Sequence, residues 1–492
     1  DYSAAIYSKE NLIINGNGTL NVNAGYRNGI KSTDDCIIVS GTLNITSTED
    51  GIIGKDLCGV VAGDININAG SDGIKSTYDT DTTKGNVIIE GGNITIKASN
   101  DGIQAENILV INDGTINIKT NNGAADTTQT HTDNMYMGRG GFGFNNNKTT
   151  TTRDDTAESR KGIKAGNMLI INDGDITIDS DDDSVHCNSE IYIYGGTINA
   201  ATGDDGVHAD DLLTVNGGTI NITQCYEGIE ADDIVINDGD ISVVSSDDGI
   251  NSSDGSITIN GGNLLINASG DGLDANGSII INGGYIVVLG PTSDGDTAID
   301  YDDSCTINGG TVMAFGSSGM LEIPKGASNG ACIVTAFTSV SGGSKYTLSD
   351  SNGNEILSYT PSKAYAAAIV YSDKITTGNT YDITAGSTTL SIEVTSDVTS
   401  NVSSGLGKAG GMNMPGNGGS GMPNNGSSDN GMNGNSNGSM PDMSGNGAPD
   451  MNGNSSGDMP SMGGNSSNNG GNMPNMNNGS SNGSAPQMNN RM

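Results

Sequence analysis

Carboxylates dominate the chemistry open to this chain. Asp182, Asp183, Asp204, Asp205, Asp247, Asp248 and Asp271 fall in one recurring motif, an acid followed by Gly (Ser at 184) and then Ile, Val or Leu. A second acidic set follows a few residues on: Asp210, Asp211, Glu230, Asp232, Asp233, Asp254, Asp274, Asp300, Asp302 and Asp303. Residues 165–324 hold 28 acids and no Lys or Arg, whereas residues 1–164 hold 20 acids against 14 Lys and Arg. Charges so dense and so alike repel one another unless cations neutralise them. Ca²⁺ suits this donor set, because it is a hard cation that takes six to eight oxygen ligands in irregular geometry. The expected metal ligands are Asp182, Asp183, Asp204, Asp205, Asp210, Asp211, Glu230, Asp232, Asp233, Asp247, Asp248, Asp271, Asp274 and Asp300. An isolated motif Asp has a simpler use, capping a turn through its own backbone.

Beside the acids runs a mixed column. One position after the motif's apolar residue, the chain reads Lys31, Ile53, Lys75, Gln104, Lys164, His186, His208, Glu230, Asn251 and Asp274. The column passes from basic to acidic and holds two of the chain's three histidines. As an outward row it offers Lys31, Lys75, Lys164, His186 and His208 to an acidic sugar polymer, whose carboxylates pair with ammonium groups or bridge through Ca²⁺ to protein Asp. An ordinary solvated face of scattered charge is the plainer alternative.

Such columns exist only if equivalent residues stack, and a repeat provides the stacking. The motif glycine or its equivalent lies at 29, 51, 73, 102, 162, 184, 206, 228, 249 and 272. The period is 22 residues, with a small insertion before 102 and a long one before 162. A second glycine runs in parallel from Gly18 to Gly310 and marks twelve coils. Alternating apolar pairs such as Ile103 and Ala105, Leu109 and Ile111, and Ile116 and Ile118 give three half-buried strands per coil. The expected fold is therefore all-β, a right-handed parallel β-helix over residues 1–324. At about 4.8 Å per coil it is about 58 Å long. Asn112, Asn172, Asn216, Asn237, Asn260, Asn282 and Asn308 all precede the second glycine by two residues, the register of an amide ladder. Cys36, Cys58 and Cys305 occupy a column otherwise filled by Leu and Ile, so they are expected to be buried thiols. Cys36 and Cys58 lie on neighbouring coils, which leaves a disulfide open.

Three segments depart from the repeat. The insertion at 122–160 carries Tyr136, Phe142 and Phe144, rings that suit stacking on sugars from a loop. Residues 325–400 alternate without the period and are expected to form a small β module capping the open solenoid end. Residues 401–492 contain 13 of the 18 Met and otherwise mostly Gly, Asn, Ser and Pro, the composition of a disordered tail. Its methionines could ligate Cu(I), but a flexible spacer is the plainer reading.

The formal net charge of −38 excludes nucleic acid as a natural partner. No apolar run is long enough to span a membrane as a helix. The chain is expected to be a monomeric, exported, extracellular or cell-surface protein.

The strings Asp204-Asp205-Gly206-Val207-His208-Ala209-Asp210, Glu227-Gly228-Ile229-Glu230-Ala231, Gly270-Asp271-Gly272-Leu273-Asp274-Ala275-Asn276-Gly277, Gly290-Pro291-Thr292 and Ala298-Ile299-Asp300-Tyr301 resemble the bacterial carbohydrate-binding β-helix family, related in fold to pectate lyases. The resemblance covers about residues 1–390. It implies an extracellular Ca²⁺-binding protein that binds cellulose and pectic polysaccharide such as polygalacturonate without clear catalysis. Two alternatives stay open, a structural surface or matrix protein and a Ca²⁺-dependent polysaccharide lyase. A lyase needs a base beside the uronate, and the sequence offers Arg160, Lys161 or Lys164, with His186 and His208 as further candidates.

Overall fold

The computed structural model describes residues 3–129 and 159–402. Tyr136, Phe142 and Phe144 lie outside the described residues, as does the Met-rich segment.

The 22-residue period folds as a parallel β-solenoid. Each coil contributes one strand to each of three sheets. The first has twelve strands, from Ala4–Ser8 to Ile299–Tyr301. The second has thirteen, from Leu12–Ile14 to Gly326–Ala327. The third begins at Thr19–Ala24 and is extended to fifteen strands by the C-terminal region. Inward positions repeat the same side chains coil after coil. Ile74, Ile103 and Ile163 stack in the first sheet, Leu109 and Leu169 in the second, and Ile94, Ile116 and Ile176 in the third, all fully buried. Each buried Ile or Leu contributes about 1.5–3 kcal/mol of transfer free energy, and stacking supplies the apolar contact that a single coil lacks.

The two glycine columns have different causes. The second column, from Gly41 to Gly310, has positive φ at every coil, a conformation side-chained residues adopt at a cost. The motif glycines are required for space. A Cβ on Gly162 would sit 2.5 Å from Ile178 Cγ2 and 2.5 Å from the Ser184 carbonyl oxygen. At the one coil where Ser184 replaces this glycine, the third-sheet residue in register with Ile178 is Ala200. The small residue makes room, and Ser184 Oγ lies 3.2 Å from Ser180 Oγ.

The asparagine ladder forms as the spacing predicts. Asn172 Nδ2 donates to Asn112 Oδ1 (2.7 Å). From Asn216 onward the rungs at Asn237, Asn260, Asn282 and Asn308 span 2.8–3.0 Å. Tyr194, which is exposed, interrupts it. Cys36 and Cys58 pair in register as buried free thiols. Burial pushes the Cys36 thiol up to about 12.

Past the last coil the third sheet changes direction. Thr311–Gly316 pairs antiparallel with Tyr365–Ser372, which pairs antiparallel with Ala331–Val340. A separate four-stranded antiparallel sheet combines Tyr346–Asp350, Glu355–Tyr359, Thr380–Ala385 and Thr388–Glu393. Its Tyr346, Leu348 and Ile383 share a second core with Val287, Leu289, Met313 and Phe315 from the solenoid. Phe315 meets Tyr346 and Tyr365 edge to face, at ring distances of 5.4 and 5.1 Å.

Candidate binding face and metal-ligating clusters

Strand register places the mixed column on one continuous row of the first sheet. Lys31, Ile53, Lys75, Gln104, Lys164, His186, His208, Glu230, Asn251, Asp274 and Asp300 are successive partners across adjacent strands. The row is not the open surface expected from alternation. Ile53 and His186 are only 2% and 3% exposed, and the rest are half-buried. Alternation predicts only which way a side chain leaves the sheet. It does not predict how far the neighbouring acidic turn rises beside it.

That turn carries a ladder of its own. The acid of one coil accepts a hydrogen bond through Oδ1 from the backbone N–H of the equivalent residue in the next coil. The rungs are Asp50 to Asp72 (3.2 Å), Asp72 to Asp101 (3.0 Å), Asp101 to Lys161 (2.8 Å), Asp183 to Asp205 (3.1 Å), Asp205 to Glu227 (3.3 Å) and Asp248 to Asp271 (2.6 Å), with Asp271 receiving Thr297 N–H. Oδ1 of a motif Asp is therefore committed to the fold, and Oδ2 meets Lys75 at Asp72, Lys161 at Asp183 and His208 at Asp205. These acids bracket successive coils; they do not cap their own turns.

At Lys161 the acid column carries a cation. Lys161 is buried, and its Nζ lies 3.0 Å from Asp182 Oδ1 and in closer contact with Asp183 Oδ2. His186 Nδ1 lies 2.8 Å from the same Asp183 oxygen. On the next coil His208 Nδ1 donates to Asp205 Oδ2 (3.1 Å), with Glu230 Oε2 at 3.3 Å and Asp183 Oδ2 at 3.9 Å. The two imidazole rings meet edge to face, 4.9 Å apart. Burial raises the Asp183 carboxyl, but Lys161 and the imidazoles outweigh it and hold it well below the usual carboxylate range. Burial lowers His186, which stays neutral near pH 7. Burial also opposes the charge on His208, yet the hydrogen bonds to Asp205 and Asp210 and the charges of Asp183 and Glu230 push it up to about 11.

Carboxylates also cluster with one another along this face. Asp248, Asp271 and Asp274 bring oxygens within 4.8 Å of one another, and so do Asp182, Asp183 and Asp204. Burial and neighbouring charge push Asp204 up to about 9, Asp248 to about 8 and Asp271 to about 9. Asp300 pairs in register with Asp274 and adds its charge at Asp271. Glu227, outside the expected ligand set, is driven by burial and by Asp205 to about 10. Other expected ligands serve the second turn. Asp211 Oδ2 accepts from Ser189 Oγ (2.7 Å), Asp232 Oδ1 from Ser253 Oγ (3.1 Å) and Asp233 Oδ1 from Ser256 N–H (2.9 Å). With Asp247, these three lie outside the clusters above. Of the basic residues, Lys75 pairs with Asp72 (2.6 Å), and Lys164 Nζ lies 3.2 Å from Ser159 Oγ. The placement of Lys161 was visible in sequence as Lys161-Gly162-Ile163, where every neighbouring motif begins with an acid or amide.

Fold and site together define a β-solenoid with one charged longitudinal face. The carbohydrate-binding domain-containing protein family matches residues 1–206 and 204–397, most of the chain, and the protein belongs to that family. Membership gives it a carbohydrate-binding role and a polysaccharide partner. No curated protein and no solved structure matches the chain. Among the described residues, no helix is long and apolar enough to cross a membrane.

Proposed function

We propose that the chain is an extracellular, non-catalytic receptor for an acidic polysaccharide of the polygalacturonate type, held along the first-sheet face with Ca²⁺ as a bridge. The observation that carries this is the polarity of the row. Lys31, Lys75 and Lys164 recur on every second coil, about 9.6 Å apart at two strand spacings, close to a disaccharide repeat. The acidic half continues the same row through Glu230, Asp274 and Asp300. A uronate chain pairs with ammonium groups in the first half. In the second it shares Ca²⁺ with Asp248, Asp271 and Asp274, and the raised values of Asp248 and Asp271 mark carboxyls that favour a bound cation or proton. Cellulose, which carries no charge, would gain nothing from this polarity.

Of the candidate lyase bases, Arg160 and Lys161 are committed to Asp181 (3.2 Å) and to Asp182 and Asp183, which leaves Lys164 and the two imidazoles for that alternative. Retention on insoluble polygalacturonate and on cellulose, with and without chelator, tests the proposal. Chelator-sensitive retention on polygalacturonate is expected, weakened by combined Lys31→Ala and Lys164→Ala. Equal retention on cellulose, or release of unsaturated product followed by ultraviolet absorbance, would overturn it.

A further inference from the structure

We propose that His186, His208 and Asp183 form a site for one divalent transition-metal ion of the imidazole-preferring kind, zinc or its neighbours, distinct from any all-oxygen Ca²⁺ site. One ligand atom from each of the three lies within 4.8 Å of the others. Strand register sets this up, since His186 and His208 are direct partners on adjacent coils.

The orientation of the rings points to a metal. His186 Nε2 lies 2.8 Å from Asn188 Oδ1, so the Nε2–H donates outward and Nδ1 presents its lone pair inward. That Nδ1 is buried and has no hydrogen-bond partner, because the 2.8 Å approach of Asp183 Oδ2 lacks hydrogen-bond alignment. The Nδ1 lone pair is directed beside that oxygen, where a cation on the lone-pair axis would be shared by both atoms. One coil on, His208 has its second nitrogen placed in the same way, but its Nδ1 carries a proton donated to Asp205. Its Nε2 lies 3.4 Å from Asp210 Oδ1, and its Nδ1 is turned towards Asp183 and Asp205. Asn188 and Asp210 each follow their histidine by two residues. Metal-ligating histidines are commonly fixed in this way, with the second ring nitrogen donating to an oxygen that sets the tautomer.

The donor set selects the ion. Two imidazoles and a carboxylate suit Zn²⁺, Co²⁺, Ni²⁺ or Cu²⁺ and are poor for Ca²⁺, which takes oxygen. A carboxylate oxygen has two lone pairs, so Asp183 Oδ2 can keep Lys161 and still ligate. Binding displaces the His208 Nδ1 proton now shared with Asp205. Three protein donors leave a fourth position for an outside oxygen, as in open zinc sites.

The test uses full-length protein carrying His131→Ala, which removes the remaining histidine, stripped of metal and titrated with Co²⁺. One equivalent with a visible ligand-field band is expected. His186→Ala or His208→Ala should abolish the band and weaken uptake at least tenfold, and Asn188→Ala should weaken it about tenfold. Millimolar Ca²⁺ should not displace the Co²⁺. Should the histidine variants misfold by circular dichroism, spin-echo spectroscopy of the Cu²⁺-loaded parent counts imidazole ligands directly, with two expected. Absence of uptake, a count below two, or displacement by Ca²⁺ would overturn the proposal. Glycan retention is measured separately, so its outcome does not depend on this one.

Discussion

Replacing Asp271 by Asn isolates the charge of the acidic ladder from its hydrogen bond. The amide oxygen can still accept Thr297 N–H, so the rung between coils survives while one negative charge is lost. Two ionised carboxylates 4.8 Å apart, the span of the Asp248, Asp271 and Asp274 cluster, repel by about 3.5 kcal/mol at an effective dielectric near 20. All three are half-buried, and solvent screening leaves about 1–2 kcal/mol of this per pair. The sign with pH follows from linkage. Asp271, raised to about 9, and Asp248, raised to about 8, hold protons more tightly in the folded chain than in the unfolded one. Their contribution to metal-free stability is complete below the unfolded value near 4 and is lost as pH rises through 8 to 9. In chelator, the unfolding midpoint of the natural protein should therefore fall between pH 5 and 9. Asp271→Asn should flatten that slope by up to about 1.4 kcal/mol per pH unit and raise stability at pH 8 by about 1–2 kcal/mol. The variant should also lose part of the stabilisation that Ca²⁺ gives. Urea unfolding followed by circular dichroism measures all three effects. Identical slopes in the two proteins, or metal-free stability that climbs from pH 5 to 9, would refute this electrostatic account.

Three further outcomes follow from the same geometry. Asp72→Ala should cost about 1–3 kcal/mol by stranding Asp101 N–H and releasing Lys75, whereas Asp72→Asn should recover much of it; denaturant midpoints distinguish the two. Ala200→Ile should destabilise by about 1–3 kcal/mol, because it restores the bulk that Ser184 cannot accommodate, and adding Ser184→Gly should rescue it in a double-mutant cycle. Gly249→Ala should prevent folding or cost more than 3 kcal/mol, since the new Cβ would sit 2.2 Å from Ile266 Cγ2 and 2.5 Å from the Gly272 carbonyl oxygen; soluble yield and thermal midpoint report it.

Much of this molecule follows from period alone. In a solenoid each residue meets its own equivalent one coil away, so sequence spacing is also spatial contact. The three sheets, the asparagine rungs, the buried thiols and the row from Lys31 to Asp274 were all legible for that reason. Even the exchange of Gly for Ser184 against Ala200 is written in the chain for anyone who aligns the coils. What spacing could not convey is depth and direction. A column is defined by which residues stack, but the height of the flanking turn buries Ile53 and His186, and only folded backbone sets that height. Likewise, residue type gives a carboxylate two oxygens, while the offset between coils commits one of them to the next N–H. The outward turn of both imidazole Nε2 atoms to Asn188 and Asp210 depends on rotamers that packing selects, and the tertiary structure alone decided it.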